Sequence, residues 1–269
     1  MTPYPRAHLY LSLAFLVAVA GFVPSYWSKP PSRFDLWVHI HGISATLFFA
    51  LTIAQAWLAK SGRFRAHRPL GIAALVNATV AVVSMLVIAP NVLKIPFPDP
   101  DLGYAFYFVD VIAVGLFAVL VLLAMRHRRD MELHSRYIIA ALLAPLPAAA
   151  SRLLRFFELA PSPWSATVIS GVLLLAVYGR LIYDDYEKGR IYPPYVLVYA
   201  GTTVISLGFE PVGRAGWWQG LVNHTTPVID WVVLTIALGW AWRWSSPKEG
   251  ARVQETQPQA EPLSARAET

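Results

Sequence analysis

Eight long apolar runs, set apart by short knots of charge and proline, constrain this chain more than any other feature. A helix crossing a hydrocarbon core needs roughly 20 mainly apolar residues, because the bilayer offers no water to satisfy its backbone. The runs predict helices over 8–24, 36–59, 69–89, 104–125, 135–155, 164–183, 194–210 and 227–244. Pro24, Pro30 and Pro31 punctuate the first connection, Pro90 to Pro100 the third, and Pro161 and Pro163 the fifth. The expected fold is therefore all-α: a polytopic transmembrane helical bundle of about eight helices over residues 1–245. A polar cytoplasmic tail over 246–269, with Lys248, Glu249 and Glu261, reads as disordered. Only 14% of residues are charged, against about 25% in soluble domains, so a soluble core fits poorly.

Ala18-Val19-Ala20 has the form of a signal-peptide cleavage site, but the apolar run continues through Phe22 and Val23, as an uncleaved span would. The basic residues divide 16 against 6 between alternate connections. The richer set holds Arg6, Lys60, Arg63, Arg65, Arg68, Arg126, Arg128, Arg129, Arg136, Arg180, Lys188, Arg190 and the tail. The positive-inside rule places that set in the cytoplasm. Both termini are then expected inside, in a bacterial inner membrane, with the lipid bilayer as the one certain partner. The net charge of +6 is explained by this asymmetry, so nucleic acid is not an expected partner. No cysteine is present, which excludes disulfides, thiolate metal sites and thiol nucleophiles.

A shift of 67 residues aligns two helical hairpins without a gap. His67 falls on His134, Leu75 on Leu142, Ala73-Ala74 on Ala140-Ala141, and Ser84 on Ser151. Helices two and three are thus expected to be a duplicate of helices four and five, with parallel topology. One face of helix three carries His67, Leu70, Ala74, Asn77, Ala81 and Ser84, and helix five carries His134, Tyr137, Ala141, Ala144, Ala148 and Ser151 at the same phase. His41, Ser44, Thr52 and Gln55 form a polar stripe on helix two. Asn77 needs a hydrogen-bond partner inside the bundle, and Pro145 and Pro147 should kink helix five.

Gly21-Phe22-Val23-Pro24-Ser25-Tyr26, His39-Ile40-His41-Gly42, and Gly62-Arg63 through His67-Arg68 with Leu70-Gly71 resemble motifs of a group of uncharacterised bacterial multi-pass membrane proteins. Met131 to Arg136, Tyr183-Asp184 and Gly189-Arg190-Ile191 resemble the later motifs of that group. The likeness runs over about residues 10 to 210, with departures at Ser135 and Tyr192. It implies a bundle of seven to eight helices and an uncleaved first helix; it implies no activity.

Imidazole is the usual haem and transition-metal ligand. His67 and His134, at matched places in the repeat, are the candidate ligands of a haem b. Against that stand Pro69, which puts His67 close to the start of helix three, and Phe106 and Phe108, which stand where the repeat would place outer histidines. As structural residues, His67 and His134 would be interfacial caps. His39, His41 and His224 are candidate metal ligands at the outer end, although His39 and His41 point to different sides of one helix. Asp110, Arg152, Arg155 and Asp230 join His41, Gln55 and Asn77 as candidate ligand-binding residues, since ionisable groups in spans are costly and default to functional hypotheses. The bland alternatives are an Arg155–Glu158 pair and an Asp110–Arg152 bridge. Asp184, Asp185 and Glu187 read as a solvated turn, and the tryptophans as an interfacial belt. No serine-hydrolase, zinc-protease, Walker or dinucleotide signature is present. The expectation is a bundle that binds a small ligand, metal or haem near its outer face. The alternatives are b-type electron transfer, small-molecule transport and a structural role, with nothing that calls for catalysis.

Overall fold

The computed structural model describes residues 4–225 and 228–244. Among them the chain is all-α, and six segments are long and apolar enough to cross a membrane. The helices are α1 (Ala7–Phe22), α2 (Leu36–Lys60), α3 (Phe64–Ile88), α4 (Asp101–Arg126), α5 (Met131–Leu143), α6 (Leu146–Phe156), α7 (Pro163–Glu187), α8 (Pro193–Gly208), α9 (Gly216–Thr225) and α10 (Val228–Trp244). The expected seventh and eighth spans correspond to α8 and α10, which run for 16 and 17 residues. The tail 246–269 lies outside the described residues.

Local chemistry sets the boundaries. Asp35 caps α2 by accepting from the Val38 N–H at 3.1 Å, and Asp130 caps α5 by accepting from Glu132 and Leu133. Ser162 and Ser165 form a reciprocal cap at the start of α7, with Pro163 in the first turn. Gly62 and Gly189 turn the chain with φ of +67° and +82°, a conformation that costs glycine nothing. Helix three begins earlier than expected. It starts at Phe64, so Pro69 lies inside the helix and His67 is already helical.

The expected fifth span is two helices. Pro145 and Pro147 supply no N–H to the carbonyls four residues before them, and the chain breaks between Leu143 and Leu146. The Tyr178 hydroxyl donates to the Leu143 carbonyl at 3.0 Å, replacing the donor that Pro147 lacks.

The first five spans close into a ring. Helix α1 packs on α2 and α6, α2 on α3, α3 on α4, and α4 on α5. Outside the ring, α7 packs on α6 and α8, α8 also meets α4 and α5, and α10 lies along α4. Helix α4 is therefore the central element, with 56% of its apolar window buried against 17% for α1. Exposed apolar residues such as Ile72, Val76 and Val80 recur every fourth position along α3, the stripe expected of a surface that meets hydrocarbon.

The resembling motifs are also packing devices. Gly21 lets α1 meet α6, because a Cβ there would stand 2.8 Å from Ala149 Cα. Gly42 leaves room for the Tyr26 ring, which an added Cβ would approach to 2.9 Å. Tyr26 reaches that place through a π-helical turn over Val23–Trp27, and its hydroxyl bonds His39 Nδ1 at 2.9 Å.

Candidate functional site

Three hydrogen bonds turn the polar stripe of α2 toward α3. Asn77 donates to the Ser44 carbonyl at 2.8 Å. His41 Nδ1 donates to the Ala81 carbonyl at 3.2 Å, and Ser84 Oγ lies 3.4 Å from the same nitrogen. At the basic end, Gln55 Nε2 donates to the His67 carbonyl at 2.9 Å.

The histidines expected at the outer end, His39, His41 and His224, do not form a group that could hold a metal ion. His39 uses both ring nitrogens, with Tyr26 and with the Pro31 carbonyl at 3.0 Å. His41 turns toward α3, where Nδ1 bonds the Ala81 carbonyl. His224 sits exposed on α9, a helix that the hydropathy pattern did not foresee. Among the described residues, no three His, Cys, Asp or Glu side chains are grouped so as to hold a metal ion.

At the end expected to face outward, the Arg152 guanidinium lies 4.5 Å over the Phe22 ring and donates to the Ala148 carbonyl at 2.7 Å. Arg155 donates to the Ala160 carbonyl at 3.1 Å, so its partner is a backbone group; among the described ion pairs there is none with Glu158. The side chain of Asp230 lies outside the described residues.

His67 stands in the first turn of α3 and His134 in the first turn of α5. His134 Nδ1 donates to the Ala124 carbonyl at 2.8 Å, which defines its tautomer and leaves Nε2 with a free lone pair. His67 Nδ1 and Gln55 Oε1 are both buried without a hydrogen-bond partner. The same end holds His8 of α1, whose Nε2 lies 3.5 Å from Lys60 Nζ and whose Nδ1 is also buried and unpartnered. Sequence reasoning missed His8, because a single polar residue near the start of an apolar run carries no pattern.

It missed a second cluster as well. Asp185 is not part of a solvated turn. It is 1% exposed and takes three bonds from Arg136, itself 2% exposed, with Nη2–Oδ1 at 2.7 Å and Nε at 3.1 Å from both Oδ1 and Oδ2. Arg136 also bonds the Glu132 carboxylate and carbonyl one turn back. Its guanidinium lies 3.8 Å over the Tyr192 ring and 5.1 Å over that of Tyr4. Burial pushes the Tyr4 hydroxyl above its ordinary range, keeping it neutral beside this network. The hydroxyls of Tyr4 and Tyr195 interact, although the Tyr195 hydroxyl makes no bond of good geometry. The i, i+4 spacing of Glu132 and Arg136 was readable. That Asp185, 49 residues away, completes the set was not.

No protein-family model matches the chain, and no curated protein and no solved structure matches it.

Proposed function

We propose that this protein is an integral membrane bundle that holds a haem b between His67 and His134 at its basic, cytoplasmic end and serves in electron transfer. The observation that carries this reading is two histidines in the first turns of α3 and α5, His134 held through Nδ1 by the Ala124 carbonyl and His67 with a buried, unpartnered Nδ1. His39 has no ring nitrogen left, and His41 spends its Nδ1 on the Ala81 carbonyl. The residues fit the group. His134 already makes the backbone hydrogen bond that orients a ligating histidine. Lys60, Arg63, Arg65, Arg68 and Arg126 belong to the same basic end and could pair with acidic substituents. When bound, haem would supply reversible one-electron exchange, with His67 and His134 as the residues that hold it. The matched positions of the two histidines also support reading α2–α3 and α4–α5 as a duplicated hairpin, within the bacterial multi-pass group that the motifs resemble.

The test is an absorption spectrum of protein purified in detergent after expression with haem precursors supplied, oxidised and then reduced with dithionite. A Soret band with sharp reduced α and β bands is expected, and substitution of both His67 and His134 by alanine should abolish it. A colourless wild-type protein would remove this reading.

A second reading is favoured by the exposed Arg152 guanidinium, set over the Phe22 ring: a small charged ligand bound near the outer face. On that reading Arg152→Gln abolishes ligand binding while leaving any haem spectrum unchanged, which separates the two.

A further inference from the structure

The Gln55 amide is lodged against α3 in a way that packing alone does not require. Its Nε2 must face the His67 carbonyl, 2.9 Å away, because a carbonyl only accepts. That orientation turns Oε1 the other way, into a buried position where it has no partner. Gly71, one helical turn after His67, makes the room: a Cβ there would stand 3.1 Å from Gln55 Nε2. The Nδ1 of His67 is the other buried orphan on this stretch of α3. Buried polar groups left unpaired cost about 1–3 kcal/mol each, so two at one place need a reason.

We infer that Gln55 is a positioning residue for His67, with Oε1 set to accept from His67 Nδ1–H when the ring turns its Nε2 onto a metal centre. This rests on the His67–His134 reading above. It makes the two ligands equivalent: His134 donates its Nδ1–H to the Ala124 carbonyl, already formed at 2.8 Å, and His67 would donate its own to Gln55. A hydrogen-bond acceptor on the far nitrogen makes an imidazole a stronger electron donor and holds its ring plane. The arrangement also accounts for the glycine at position 71, where any side chain would press on the amide.

The experiment uses the full-length, haem-loaded protein and reads its midpoint potential together with its haem content. Gln55→Met keeps the length and removes the acceptor; it is expected to raise the potential by weakening the His67 donor. Gln55→Glu keeps an acceptor and adds negative charge; it is expected to lower the potential, more so as pH rises. Gly71→Ala, which displaces the amide without changing it, should follow Gln55→Met. If haem is bound in all variants and their potentials coincide with wild type, or if Met and Glu move it the same way, Gln55 has no such role. A wild-type protein that takes up no haem would instead defeat the site reading itself, and this inference with it.

Discussion

At the scale of single residues, several positions are decided by space and not by chemistry. Gly21 is the clearest, since its Cα faces the backbone of Ala149 on the neighbouring helix. Gly21→Ala must push α1 off α6, and overpacking of this kind costs roughly 1–3 kcal/mol; thermal unfolding in detergent should show a lower midpoint. Gly179, at which an added Cβ meets nothing within 4 Å, is the control: Gly179→Ala should leave that midpoint unchanged or raise it. The glycines were visible in the sequence, but which of them face backbone was not.

Among the elements, the fifth span shows how a sequence-level break is mended from elsewhere. Pro147 leaves the Leu143 carbonyl without its helical donor, and the Tyr178 hydroxyl fills the gap from α7. Tyr178→Phe should therefore leave a buried acceptor unpaired and cost about 1–3 kcal/mol. Pro147→Ala restores an N–H within the helix, so the double variant should recover part of that loss in a double-mutant cycle. Strictly additive effects would show that the hydroxyl and the proline do not answer one another. The prolines predicted a kink, and the helix break confirms it. Nothing in the pattern pointed to Tyr178, because its role depends on α7 lying beside α5 and α6.

For the whole molecule, the Arg136–Asp185 pair ties α5 to α7, while Tyr192 before α8 and Tyr4 before α1 cover the guanidinium. Removing one partner of a buried pair strands the other charge, at a cost of about 3–5 kcal/mol. Asp185→Ala and Arg136→Met should each lower the unfolding midpoint strongly, and the combination Arg136→Met with Asp185→Leu should be milder than the sum of the two. If the combined loss equals that sum, the pair is not the clamp described here. The sequence by itself determined the all-α class and most helix positions, because long apolar runs, caps and prolines act within a few residues of where they stand. It also showed that Asn77 must find a hydrogen-bond partner within the bundle, and the structure supplies the Ser44 carbonyl. Only the tertiary structure decided that Asp185 is buried under Arg136 and that the Tyr178 hydroxyl serves the Leu143 carbonyl. Those outcomes depend on how α7 packs beside α5 and α6. The distance between residues far apart in the chain is set by that packing, and no local propensity encodes it.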